Sequence, residues 1–232
     1  MLWKFLMLLA GAAIAAAGYG QHAGRLQWPD RWNPWAVLRI EEEPHWLTRH
    51  KLARLEREPA LCTAVLQTAP MRWQPVPDRE TAPGCGFRNA VRIERTQLQV
   101  GPAFTLSCPG AVALALWERH ALVPAATRHL GAPLARLEHF GSYACRNVNH
   151  AEQGRRSQHA TAAALDIAGF ATTDGRRISV ARDWSGDDAE ARFLREAHGG
   201  ACRFFDAVLG PDYNAAHRDH LHFDRGPWRA CR

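Results

Sequence analysis

No two of the six cysteines form a Cys-x-x-Cys pair, which removes a thiolate zinc site from the readings of this chain. There is no low-complexity tract and no repeat at solenoid periods, which excludes a stacked-repeat architecture. The arginines are scattered and no helix is basic along one face. A net charge of +6 and a pI of about 9.3 therefore do not point to nucleic acid. An anionic envelope polymer or a phospholipid surface suits an exported basic chain better. What is present is 232 residues, 47% of them hydrophobic, enough for one domain with a sizeable core and an N-terminal extension.

Charge is nearly absent from residues 1–20, where Lys4 stands alone in an Ala/Leu-rich run. The segment reads as a signal peptide, with Ala15-Ala16-Ala17 offering small residues for cleavage, or as an uncleaved anchor of minimal spanning length. Trp3, Trp28, Trp32, Trp35 and Trp46 crowd the first fifty residues, and tryptophan favours membrane interfaces, so residues 21–59 read as a membrane-proximal linker and the start of the first helix. Behind it come Cys62, Cys85, Cys108, Cys145, Cys202 and Cys231. An even number of dispersed cysteines after an export signal predicts three disulfides in an oxidising compartment, here the periplasm or cell envelope, with the pairing open. Joining Cys231 to an upstream cysteine would pin the C-terminus beside the stretch described next.

Chemistry concentrates in two places. His217-Arg218-Asp219-His220-Leu221-His222-Phe223-Asp224 alternates as a strand would, with His220, His222 and Asp224 on one face and Leu221 and Phe223 on the other. In Ser157-Gln158-His159 through Asp166-Ile167, the strand Ala164 to Ala168 sets Asp166 opposite Leu165 and Ile167. A carboxylate in such an apolar run needs a partner, because an unpaired buried charge costs several kcal/mol. A divalent cation is a good partner: His159, Asp166 and His222 supply two nitrogens and an oxygen, and on a zinc ion three protein ligands leave the fourth position for water, the catalytic pattern.

Elsewhere the pattern predicts helices over Leu47 to Glu58, Pro109 to Leu122, Ala125 to Leu130 and Asp187 to Leu209. Strands are expected over Ala90 to Val100 and Leu134 to Arg146. Ala164 to Phe170 and Arg177 to Ala181 read as a hairpin across Asp174-Gly175, and the proline-rich Pro70 to Pro83 reads as loop. Short strands mixed with helices predict an α+β fold, a small, mostly antiparallel sheet with flanking helices. Arg155 and Arg156 read as solvated loop charges, and Trp184 and Trp228 as core or lid aromatics.

The motif Ser157-x-His159-x-x-Ala162-x-Ala164-x-Asp166 with a later His220-x-His222 resembles the zinc peptidases of the lysostaphin/D-Ala-D-Ala/hedgehog superfamily, whose signature is S-x-H-x-x-G-x-A-x-D followed by H-x-H or E-x-x-H. More closely, residues 60–232 resemble the bacterial extensin-like C-terminal domain family, through Pro75-Val76-Pro77-Asp78-Arg79, Gly84-Cys85-Gly86, Gly141-Ser142-Tyr143-Ala144-Cys145-Arg146, Asp166-Ile167-Ala168-Gly169-Phe170, Tyr213-Asn214-Ala215-Ala216-His217 and Cys231-Arg232. The resemblance implies a hedgehog/D-Ala-D-Ala peptidase-like fold and one zinc on His159, Asp166 and His222. It also implies a peptidase acting on D-amino-acid-containing peptides of peptidoglycan, as a carboxypeptidase or endopeptidase. It places Arg146 and Ser157 at the substrate. His220 is the first choice for general base or transition-state stabiliser and Asp219 the second, with His217 orienting a neighbour. Two departures stand out: the signature glycine is Ala162, and Asp219 is one methylene shorter than the glutamate of the E-x-x-H members. A zinc-stabilised wall-binding module without turnover is the alternative, and a hydrolase of a non-peptide envelope polymer is a third.

Overall fold

Residues 2–24 and 28–232 are described in the computed structural model; Met1 of the expected targeting segment and residues 25–27 of the expected linker lie outside them. Contacts divide the chain into two units, 1–37 and 38–232. The first holds α1 (Leu2–His22), which buries none of its side chains, and a short 3-10 turn at Asp30–Trp32. With 21 residues and a mean hydropathy of 1.6 over its most apolar window, α1 has the length and composition of a signal sequence or a membrane anchor.

The second unit begins earlier than the sequence pattern suggested. Leu38 and Ile40, within the expected linker, are buried in the core, so these residues are part of the folded body. Then come α2 (Thr48–Arg54), α3 (Pro59–Leu66), β1 (Arg72–Val76), β2 (Arg79–Ala82), β3 (Cys85–Phe87), β4 (Ala90–Arg95), β5 (Gln99–Ser107), α4 (Cys108–Trp117), α5 (Val123–His129), β6 (Leu134–Gly141), β7 (Ala164–Thr172), β8 (Arg177–Ser179), α6 (Val180–Asp183), α7 (Ala189–Ala201), β9 (Ala207–Leu209), β10 (Leu221–Asp224) and β11 (Ala230–Cys231). Among the described residues, nine strands form one mixed sheet in the order β1-β4-β5-β6-β7-β10-β9-β11, with β8 also on β7; β2 and β3 pair separately. Most pairings are antiparallel, while β5–β6 and β9–β11 are parallel. The fold is α+β.

Three elements differ from the sequence pattern for identifiable reasons. Arg72–Val76 and Arg79–Ala82 are strands rather than loop; β1 lies at the sheet edge, where the missing N–H of Pro75 is tolerated. The expected strand over residues 90–100 is a hairpin turning between Arg95 and Gln99. The last long helix stops at Ala201, and residues 207–209 form β9; the apolar run through Phe204, Phe205 and Val208 continues the pattern but serves the core from a turn and a strand. The Gly199-Gly200 pair does not break α7. A Cβ on Gly200 would lie 2.5 Å from that of Ala121, so glycine there permits close packing.

The core face of β10 packs against α4: Trp117 is fully buried, meets Phe223 edge-on at 5.1 Å and donates its indole N–H to the Ala197 carbonyl. This leaves the opposite face of β10 and β7 to polar residues. The disulfides are Cys62–Cys108, Cys85–Cys145 and Cys202–Cys231. The last ties the end of α7 to β11, which β9 separates from the His-rich strand β10. Replacing both of its cysteines with serine is expected to lower the unfolding free energy by about 3 kcal/mol in denaturant titrations.

A buried glutamate sits outside the polar face. Glu118 opens a π-helical turn (Glu118–Leu122) between α4 and α5; it is completely buried, bonded to the Thr96 hydroxyl at 2.5 Å and accepting from Gln97 N at 3.2 Å. Burial outweighs these bonds and raises its pKa from 4.5 to about 7. The native state thus holds this proton more tightly than the unfolded chain. Its stabilisation is complete below pH 4.5, falls as the pH rises towards 7 and is absent above. Glu118→Gln keeps one donor and one acceptor in the same places. It is expected to stabilise the protein by about 3 kcal/mol at pH 8 and to change little near pH 4, as read from melting curves at the two pH values.

Candidate metal centre

Two segments build the site. Residues 158–161 form a 3-10 turn whose N-cap is Ser157: its Oγ accepts from His159 N at 3.3 Å, and its own N–H donates to the Arg146 carbonyl. The turn closes at Ala162, which is fully buried and left-handed (φ 52°, ψ 31°). Glycine would adopt this conformation without strain, so the alanine here is held in it by its buried surroundings. Strand β7 follows at once and presents Asp166. Its register partner across β10 is His222, so the two are placed side by side by the sheet itself.

The ligand atoms of His159, Asp166 and His222 all lie within 4.8 Å of one another. His159 Nε2 is 3.2 Å from Asp166 Oδ2 and 3.2 Å from His222 Nδ1, which is 2.9 Å from Asp166 Oδ1. The far nitrogen of each ring also has a partner. His159 Nδ1 meets the Ser142 carbonyl at 2.8 Å, and His222 Nε2 meets Asp224 Oδ2 at 3.0 Å. Such outward hydrogen bonds orient the rings, and loss of the inward proton would leave on each a lone pair facing the other two residues, as metal-binding histidines require. Burial alone would lower the His222 pKa, but the carboxylates on both of its nitrogens raise it to about 9. Burial likewise pushes Asp166 up, and the hydrogen bonds from His159 and His222 outweigh it and hold the carboxyl well below the usual range. These nitrogen and oxygen donors could together hold a metal ion.

The remaining expected residues line the same cleft, of about 500 Å³. Asp219 and His220 precede β10, which starts at Leu221, so Asp219 is not on the strand's back face. His220 Nδ1 is 2.9 Å from Asp219 Oδ1, and its Nε2 reaches 3.6 Å from Asp166 Oδ1. His217 packs on both His220 and His222 with ring centres 5.3 and 5.7 Å away, and its Nδ1 meets Asn214 Oδ1 at 2.8 Å. Burial, then the neighbouring imidazoles, lower its pKa to about 4, so it stays neutral. Arg146 lines the cleft, and among the described residues nothing pairs with its guanidinium. Ser157 borders the cleft too, with its hydroxyl engaged as the cap of the His159 turn. Arg155 is exposed, as expected, and lies over the Trp228 ring, whereas Arg156, also expected to be solvated, is half-buried and donates to the Pro83 carbonyl and Asn147 Oδ1. Sequence reasoning put Asp224 on the correct face but gave it no role; the signal was its two-residue spacing from His222. Ser142 and Asn214, which act through a carbonyl and through a turn, carried no comparable signal.

No curated protein and no solved structure matches the chain. The family profile described as Extensin-like protein C-terminus matches residues 60–232, three quarters of the sequence, and the chain belongs to that family.

Proposed function

We propose that this protein is an exported, zinc-dependent peptidase of the cell envelope that hydrolyses peptide bonds in peptidoglycan, and that it stands within the lysostaphin/D-Ala-D-Ala/hedgehog group. The observation that carries the reading is the convergence of His159, Asp166 and His222, each imidazole braced from behind by an acceptor. A zinc ion bound there supplies Lewis acidity towards a carbonyl and makes water nucleophilic near neutral pH. The chain's own residues supply the rest. Asp219 occupies His220 Nδ1, which leaves Nε2 as the atom that takes and returns a proton on the side of Asp166. The unpaired guanidinium of Arg146 suits a substrate carboxylate, which it can grip with two parallel hydrogen bonds. Neutral His217, fixed by Asn214, holds the inner wall without adding a competing charge. The apolar α1 and the three disulfides support a periplasmic location, with α1 serving as signal or inner-membrane anchor.

A second reading, a zinc-stabilised wall-binding module without turnover, is favoured by one feature. Besides Asp166, the carboxylates lining the cleft are Asp219 and Asp224, and each is engaged by an imidazole, so no free carboxylate base remains. Digestion of purified sacculi with the full chain separates the two. The peptidase reading expects new muropeptide fragments that vanish with chelator. Retained binding to sacculi with an unchanged profile would leave only the module.

A further inference from the structure

Among the described residues, three large aromatic side chains stand exposed on the metal cleft: Phe140 at 63%, Tyr213 at 48% and Trp228 at 65%. An indole is one of the largest apolar groups a fold can bury. A tryptophan left in water on a concave surface therefore points to a ligand rather than to packing. Two of the three already touch the site histidines. Phe140 meets His220 edge-on at 5.8 Å, and Tyr213 meets His217 at 5.5 Å. Trp228 instead carries the Arg155 guanidinium over one face, with Cζ 5.4 Å from the ring centre, and most of its surface stays open. A cation over the ring favours one orientation of it.

The backbone holds that ring in a fixed place relative to the metal ligands. Trp228 follows Asp224, whose Oδ2 meets His222 Nε2 at 3.0 Å and whose Oδ1 accepts from Gly226 N at 2.8 Å. One carboxylate thus braces a ligand and the turn that leads to Trp228. Gly226 packs so closely on the His159 turn that a Cβ there would lie 2.8 Å from the Gln158 side chain. Beyond Trp228, Ala230 N donates to the Asp206 carbonyl at 2.9 Å, and Cys231 is bonded to Cys202. The segment is tied down on both sides of the exposed ring.

The same cleft presents Arg146, Arg155, Asn149 and Gln158. A lipid chain would call for a contiguous apolar patch, whereas this indole stands in a cleft lined by hydrogen-bonding groups. A flat apolar face in such company matches a sugar ring, whose C–H face stacks on the indole while its hydroxyl and amide groups take hydrogen bonds. We propose that Trp228, backed by Arg155, is a sugar-stacking subsite of the metal cleft, so that the protein recognises the sugar that carries a peptide together with the peptide. The inference rests on the peptidase reading and adds to it a contact with the glycan side of the substrate.

The test is calorimetric titration of the full chain in detergent with two uncleavable probes: a stem peptide, and the same peptide joined to an N-acetylated amino-sugar. The joined probe is expected to bind about tenfold more tightly than the bare peptide. Trp228→Ala should bring its affinity down to that of the bare peptide without lowering the melting temperature, since the ring is exposed. Trp228→Tyr, which keeps a stacking face, should restore part of the preference. Equal affinities for the two probes in the wild type, or a preference that survives Trp228→Ala, would overturn the subsite and leave the peptidase reading intact. A peptide-free strand of the same sugar that binds as tightly as the joined probe would overturn the joint recognition. Failure of both probes to bind would remove the peptidase reading and the subsite with it.

Discussion

His222→Ala is expected to lose the zinc and every metal-dependent activity, whereas Asp224→Asn should keep the ion but bind it about 10–100-fold more weakly. The first substitution removes one of three ligands and leaves Asp166 and Asp224 facing each other across an emptied position. The second leaves all three ligands in place. It takes away the negative acceptor behind His222 Nε2, 3.0 Å distant, that makes the inward Nδ1 a better donor and holds the ring still. Competition against a calibrated chelator measures both effects without reference to a substrate. If Asp224→Asn bound zinc as tightly as the wild type, the carboxylate would be a structural neighbour only. Equal zinc content in wild type and His222→Ala would remove His222 from the ligand set.

His220→Ala should retain the metal and lower kcat by about 10²–10⁴, the usual contribution of a general acid–base group. Asp219→Asn is expected to keep the metal and to lose less activity, because the imidazole stays in place and the amide oxygen can still meet its Nδ1. A loss of zinc or a lowered melting temperature in that variant would assign Asp219 a structural role instead. Unchanged turnover in His220→Ala would exclude it as the proton carrier and move attention to the module reading.

The convergence of His159, Asp166 and His222 was legible because two strong periodicities coincide: a strand that alternates histidine with apolar residues, and a histidine seven residues before an aspartate in an apolar run. The register of β7 on β10, which sets His222 beside Asp166, follows from which faces are buried. Where local pattern and tertiary demand diverge, the sequence misleads. Phe204, Phe205 and Val208 look like a continuing helix because they serve one core from different elements. Pro75 suggests loop because its tolerance depends on the strand being at an edge, which no local window contains. Leu38 and Ile40 sit among tryptophans and prolines that resemble a linker, yet they are buried beneath the body of the fold. The stacking of Arg155 on Trp228 was out of reach altogether, since the two come from distant segments that meet only in the fold. The fully buried Glu118 was equally hidden, because a single glutamate in a helical run reads as solvent-facing.

The most direct measurement is anomalous diffraction at the zinc absorption edge from crystals of the purified protein. One strong peak is expected, bonded to His159 Nε2, an Asp166 carboxylate oxygen and His222 Nδ1, with a fourth position open to the cleft. A map with no peak among these three side chains, from protein supplied with zinc during purification, would contradict the account.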